Sequence, residues 1–337
     1  MDSCVTPPKR KRGRPRKCAG ELDSSEIPDK KKSKPAPFAS SADSVSSAQP
    51  TLSIPPLEEW DPKSLPNGFF LIMEGKRRTG KSTFAKWLLQ YYSTTFSLVW
   101  VMSQTSASGF WQKFVGSEFT FDGWSSSAVN ALLERGNKIV ELYGEDSPEA
   151  KAASALLILD DCVPSELFYD DTFIKLAVSG RHYGISVVFI TQDPKTICPK
   201  VRDNSDSAAI FNQKTLRNKV TMWEDFMNDV DKDTANSLLS TYAIEHDALM
   251  CVQSNLNSVM TKNFYKITGD KRVLEDPDYM LGGEYQRRKI TDERNNAKRK
   301  KEMLDAMRKG DQRPAKKRIE DVIDSSEYSV EKIFGTK

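Results

Sequence analysis

The segment Phe69–Thr83 constrains this chain more than any other. An apolar run, Phe69-Phe70-Leu71-Ile72-Met73-Glu74, feeds directly into Gly75-Lys76-Arg77-Arg78-Thr79-Gly80-Lys81-Ser82-Thr83. A helical pattern follows at once in Phe84, Ala85, Trp87, Leu88 and Leu89. Strand, G-x-x-x-x-G-K-S-T loop and helix, in that order, form the context a phosphate-binding loop requires. The glycines let backbone N–H groups turn inward around phosphates, and the new helix presents its positive end to them. In such a loop Lys81 reaches the β- and γ-phosphates and the Ser82 hydroxyl binds Mg2+. A Gly/Lys-rich surface turn is the competing explanation, but it does not account for every fixed motif position being filled. The sequence therefore predicts a nucleoside triphosphate on residues 75–83.

Composition narrows the setting. A chain of 337 residues holds one large α/β domain plus tails, or two small domains. The negative mean hydropathy points to sizeable polar segments outside a core. No run of about 18 apolar residues occurs, so no membrane span is expected. The first residues lack an apolar signal core and carry Pro7-Pro8-Lys9-Arg10-Lys11-Arg12 instead, which argues against secretion. Cys4, Cys18, Cys162, Cys198 and Cys251 are scattered without metal-ligand spacing and read as reduced thiols of a cytosolic or nuclear protein. His182 and His246 are too few for a His-rich metal site.

Three regions follow. Residues 1–54 are rich in Ser, Pro, Lys and Arg and cannot bury enough apolar surface to offset ordering entropy, so a disordered basic tail is expected. Its block Lys9, Arg10, Lys11, Arg12, Gly13, Arg14, Pro15, Arg16, Lys17 suits a nuclear import receptor or DNA phosphates. Arg12–Arg16 also resembles the core of an AT-hook, whose arginines lie in a narrow minor groove. A merely solubilising tail remains the plain alternative. Residues 55–269 alternate strands and helices. Strands are expected at 69–74, 98–102, 155–159 and 185–191, with a shorter pair at 248–252 and 264–267 forming an edge hairpin. Helices are expected at 81–92, 125–143 and 165–180. Continuous β-rich runs separated by helices predict an α/β fold with a mostly parallel sheet covered on both faces. From 270 to 337 the chain is charged, with few core-forming residues. Between Arg287 and Arg318 it carries fourteen Lys/Arg against five Asp/Glu, which predicts a solvated helix over about 284–309. The more apolar end, Tyr328–Phe334, reads as a short docking peptide.

Chemistry beyond the loop comes from spacing. Four apolar residues precede Asp160, which puts its carboxylate at the C-terminal end of a buried strand, where it can hold Mg2+ or its water shell. Asp161, beside it, can polarise an attacking water as general base. The two acids can instead cap the next helix, with Pro164-Ser165 close behind. The next strand ends 31 residues after Asp160 at Thr191-Gln192, where an amide can contact the γ-phosphate or orient water. Alternatively, Gln192 merely opens the turn before Asp193-Pro194. No Asn-Lys-x-Asp guanine-reading element follows any strand; Asn218-Lys219-Val220-Thr221 lacks the Asp and sits in a helix-like stretch, so ATP is favoured over GTP. Arg181, before the Gln-bearing strand, and Arg202, after it, are candidates to neutralise transition-state charge on a neighbouring copy's nucleotide. Surface salt bridges are the bland alternative for both, and His182 reads as a structural hydrogen-bonder.

Together, Gly75–Thr83, Leu156–Asp161, Arg181-His182-Tyr183, Val187–Gln192 and Val201–Asn204 resemble genome-packaging ATPases. The branch is the poxvirus-type one of the FtsK/HerA superfamily, found in large eukaryotic DNA viruses and Polinton elements. The resemblance covers roughly residues 57–268. It implies a RecA-like ring motor, hexameric, that hydrolyses ATP to push double-stranded DNA into a capsid. Carried over, Lys81 and Ser82 bind nucleotide and Mg2+, Asp160 holds the metal, Asp161 takes the base position and Gln192 is the sensor. Many superfamily members have Asp-Glu where this chain has Asp160-Asp161. The implied partners are duplex DNA and capsid or portal components. The implied place is the host nucleus or a viral assembly site, with association to the virion. A helicase or segregation pump, or a DNA-tethered nucleotide-binding scaffold, are the rival tasks for such a chain.

Overall fold

The computed structural model describes residues 56–162, 170–193, 197–254 and 262–310. The basic block Lys9–Lys17 and the end Tyr328–Phe334 lie outside the described residues, as do 163–169. In chain order the elements are β1 (Phe70–Glu74), α1 (Lys81–Gln90), β2 (Leu98–Ser103), α2 (Gln112–Val115), β3 (Thr120–Asp122) and α3 (Ser126–Tyr143). Then come α4 (Pro148–Ala152), β4 (Ala155–Asp160), α5 (Asp171–Ser179), β5 (Ile185–Thr191), α6 (Pro199–Arg202) and β6 (Ser207–Phe211). The remainder is α7 (Leu216–Phe226), α8 (Lys232–Tyr242), β7 (Ala248–Val252), β8 (Phe264–Ile267) and α9 (Glu284–Gly310).

The strands form one sheet in the order β3-β2-β4-β5-β1-β6-β7-β8. Every pairing from β3 to β6 is parallel, and β7 and β8 add antiparallel pairings at the far edge. Helical connections allow this: each crossover returns the chain to the start of the next strand and lays a helix on one face. Alternating side chains then build two apolar layers. Phe70, Ile72, Leu157, Leu159, Val187 and Phe189 face α3, α5, α7 and α8. Leu71, Met73, Leu156, Ile158, Val188 and Ile190 face α1 and α2. Helix starts are fixed by side-chain caps: Ser125, Asp170, Thr215 and Asp231 accept from backbone N–H groups of α3, α5, α7 and α8. Each such cap is worth about 1 kcal/mol.

Between β1 and β4 in space lies β5, while β2, which intervenes in sequence, lies outside β4. Two differences from the sequence reading matter. Two strands were not expected: β3, of three residues, and β6, which pairs with β1 on its other side. And the charged region after 270 begins as core: Tyr279, Leu281, Gln286 and Ile290 are buried. The Gln286 amide donates to Val99 O at 2.8 Å and Val115 O at 2.9 Å, while its Oε1 accepts from Val99 N at 2.9 Å. These bonds seat the first turns of α9 against β2 and α2. Among the described residues no helix is long and apolar enough to cross a membrane, and Cys162, Cys198 and Cys251 are free and buried.

Candidate nucleotide site

At the C-terminal edge of the sheet, β1 passes into the loop 75–80 and α1 opens at Lys81. Gly75 must be glycine for space: a Cβ there would stand 2.6 Å from Phe211 Cβ. Gly80, the N-cap of α1, takes the left-handed conformation at φ 94°, which L side chains resist. Arg78, at φ 64°, shares that unusual conformation. The loop thus curls around one cleft. That cleft, about 390 Å³, is lined by Arg77–Thr83, Asp160, Asp161, Ile190 and Gln192. All nine motif positions, both strand-end acids and Gln192 therefore belong to one neighbourhood or to its immediate support.

Hydrogen bonding defines how these groups are held. Lys81 Nζ donates to the carbonyls of Gly75 and, at 2.9 Å, Lys76. Burial pulls its ammonium down from the ordinary lysine range, while Glu74, Asp161 and Asp160 hold it up. Thr79 Oγ1 donates back to Lys76 O at 2.8 Å and tightens the loop. Arg77 Nε donates to Gln192 Oε1 at 3.1 Å, and Gln192 Nε2 donates to Asp161 Oδ2. The loop and the ends of β5 and β4 are thus joined in one line. Asp161 itself sits at φ 51°, so the turn after β4 aims it away from Asp160. The resulting division is clear: Asp161 bonds to Gln192, while Asp160 Oδ2 accepts from Trp111 Nε1 at 2.7 Å. Among the described residues, the cap of α5 is Asp170 and not either of these acids.

Two residues of this site were missed from sequence. Trp111 precedes α2, lies 49 residues from its partner and has no periodic pattern around it. Glu74, the last residue of β1, is fully buried, and among the described residues no donor reaches either carboxylate oxygen; Gln213 is its polar neighbour. Burial pushes its carboxyl up to about 8. Asp160 is also raised by burial, against the opposing pull of the Trp111 bond. A cation offsets that cost, and a hydroxyl on α1 (Ser82) with one strand-end carboxylate are hard oxygen donors of the kind Mg2+ takes in phosphate sites. The residues fit the group.

The two arginines are elsewhere. Arg181 precedes β5 and stands at the opposite edge of the sheet, so within a chain it does not join the cleft. Arg202 closes α6 just before β6 at that same far edge, where its guanidinium is bonded to Asp225 of α7. His182 Nδ1 pairs with Glu145 Oε1 at 2.8 Å, the structural role expected of it.

Comparison with known proteins adds the following. A family model described as Poxvirus A32 protein matches residues 58–274. Uncharacterized protein 088R of Invertebrate iridescent virus 3 is 24% identical over 212 residues, 58% of this chain and 78% of that protein. Protein 075L of Invertebrate iridescent virus 6 is 26% identical over 156 residues, 45% of this chain and 58% of that protein. Among solved structures, the genome packaging NTPase B204 from Sulfolobus turreted icosahedral virus 2 in complex with AMPPCP gives a TM-score of 0.41 at 13% identity, covering 64% of this chain and 100% of that one.

Proposed function

The chain belongs to the family described as Poxvirus A32 protein, and from that premise we propose that it is an ATPase that drives double-stranded DNA into a viral capsid. The family is the one its motifs resemble. The observation that carries the catalytic part is the single cleft in which Lys81, Asp160, Asp161 and Gln192 converge. Backbone N–H groups of the loop and of the first turn of α1 seat the phosphates. Lys81 exchanges its two loop carbonyls for β- and γ-phosphate oxygens. Asp160, steadied by Trp111 on one oxygen, keeps its other oxygen for the metal's water shell. When bound, Mg2+ neutralises charge building on the β- and γ-phosphates. Asp161 accepts the proton of the attacking water, and Gln192 holds that carboxylate in place while sensing the γ-phosphate. The same proposal includes a ring of copies, hexameric, acting on duplex DNA and docking on capsid or portal components at a viral assembly site. Arg181 or Arg202 would serve the neighbouring copy's site, and Arg181 has the more exposed side chain. Lys9–Arg12 would engage an import receptor.

The test is ATP hydrolysis by the full chain with and without blunt duplex DNA, beside Lys81→Ala, together with mass in the presence of nucleotide. Stimulation by blunt duplex, tracking along it without strand separation and loss of turnover in the variant are expected. Absence of hydrolysis in the wild type refutes the enzyme, and unwinding of forked DNA refutes packaging in favour of a helicase.

A further inference from the structure

The cleft described so far accounts for the γ end of a triphosphate and leaves its nucleoside end without partners. Topology says where that end must run. Asp160, Asp161 and Gln192 end β4 and β5, on one side of β1. Hydrolysis occurs at the γ-phosphate, so that phosphate lies toward these groups. The α-phosphate and the nucleoside then extend to the other side of the loop, above β6, β7 and β8.

Two loops meet there. Ala248, the first residue of β7, pairs with Phe211 at the end of β6 and with Ile267 at the end of β8. The turn before β7 and the turn after β8 therefore share the phosphate-loop edge, and Asp247 Oδ1 ties them by accepting from Gly269 N at 2.6 Å. From these turns His246 and Arg272 converge on Gly80: a Cβ at Gly80 would stand 3.6 Å from both Arg272 Nη1 and His246 Nδ1. The guanidinium lies 5.8 Å from the Phe84 ring and 5.9 Å from the Phe211 ring, which fixes its position. Its three nitrogens are screened from solvent, and among the described residues none has a hydrogen-bond acceptor. Burial works against this guanidinium and the nearby Asp247, Asp270 and Glu59 carboxylates support its charge, but none of them bonds it, which leaves its donors for an acceptor that the working state supplies. Backbone strain marks the same edge: among the described residues, the non-glycine residues with positive φ are Arg78, Asp161 and Glu245, the last directly before His246.

We propose that Arg272, with His246 beside it, forms the nucleoside end of the site, its guanidinium donating to the α-phosphate of a bound nucleotide. This rests on the nucleotide reading above and adds a second cation to the phosphate chain, on the side away from Lys81's γ contact. A planar fork of donors matches two phosphate oxygens, and the adjoining Phe84 and Phe211 rings back it from one side.

Calorimetric binding to the full chain tests it, using ATP, ADP and pyrophosphate with wild type, Arg272→Met and Arg272→Lys. Methionine keeps an apolar stem against Phe84 and Phe211 and removes the charge; lysine keeps the charge and removes the fork. The expected result is about 10- to 100-fold weaker ATP and ADP binding for Arg272→Met, with a smaller loss for Arg272→Lys. Pyrophosphate, which lacks an α-phosphate when seated on the β and γ positions, should change less than about 3-fold. If Arg272→Met does not fold, Arg272→Lys and His246→Ala, the latter on an exposed side chain, carry the same comparison. Unchanged ATP affinity in folded variants overturns the proposal, as does an equal loss for pyrophosphate, which would make Arg272 a prop for the loop. A wild type that binds no nucleotide overturns the site reading itself and this inference with it.

Discussion

Glu74 gives the sharpest handle on the phosphate loop. Its carboxyl is fully buried at the end of β1, with no donor on either oxygen among the described residues, and burial raises it to about 8 from an ordinary 4.5. The folded protein therefore keeps a proton that the unfolded chain releases between those two values. A raised folded value means that the stabilisation is complete below the unfolded value and is lost as pH climbs through the folded one. From pH 6 to pH 8 the linkage is worth about 2 kcal/mol, of the about 1.36 kcal/mol per pH unit that one full proton provides. For a domain of this size that lowers the melting temperature by about 4–8 °C. Glu74→Gln is neutral in both states and carries no such slope, so its advantage over the wild type should grow by about 2 kcal/mol between pH 6 and pH 8. Thermal unfolding of nucleotide-free wild type and variant at pH 6, 7 and 8, at constant ionic strength, reads this directly. Midpoints that run parallel across the range would refute the reasoning. The functional corollary is that a neutral Glu74 leaves the Lys81 ammonium bonded to two loop carbonyls, which it can exchange for phosphate oxygens, rather than locked to a carboxylate.

Trp111→Phe removes the indole donor from Asp160 and should weaken Mg2+-dependent nucleotide binding and turnover by about 10- to 100-fold, the range for a hydrogen bond to a charged group; a magnesium titration of nucleotide affinity checks it, and unchanged magnesium dependence refutes it. Arg77→Ala and Gln192→Ala should each lower turnover, and their double-mutant cycle should show coupling of about 0.5–3 kcal/mol, because they share one hydrogen-bonded line; additive losses would break that line. Glu293→Ala, which frees Ser117 N and Oγ from carboxylate contacts at 3.0 and 2.6 Å, should cost about 1 kcal/mol in denaturant unfolding, and a neutral result would show that the α9 clamp does not depend on it.

The sequence disclosed what is local. Strand, loop and α1 follow from one continuous stretch, and Asp160-Asp161 and Gln192 follow from apolar runs that end in polar residues. What it hid depends on distant neighbours. β6 is only Ser-Ala-Ala-Ile-Phe, too short and small to stand out, and it is a strand because β1 and β7 flank it. Gln286 reads as one more polar residue in a charged run, yet its buried amide satisfies Val99 and Val115. Trp111 offered no spacing rule at all. The position of Arg181 was legible, by contrast: a residue just before a parallel strand stands at the opposite edge from one just after it.

The order of strands also explains why Gln192 matters. With β5 between β1 and β4, the loop and the acid strand are two strand spacings apart, about 9.6 Å. That gap is wide enough to admit a γ-phosphate and its attacking water, and too wide for a direct bond between the loop and Asp161. Gln192 ends the intervening strand and spans the gap with one amide, accepting from Arg77 on the loop side and donating to Asp161 on the acid side. On the proposed reading, a γ-phosphate entering the cleft would compete for both ends of that amide, and its departure would restore them. The strand carrying Gln192 is buried at all seven positions and runs back to Gly180–Tyr183, which includes Arg181, at the far edge. A change at the amide therefore has a rigid path along β5 to the surface that bears the exposed arginine.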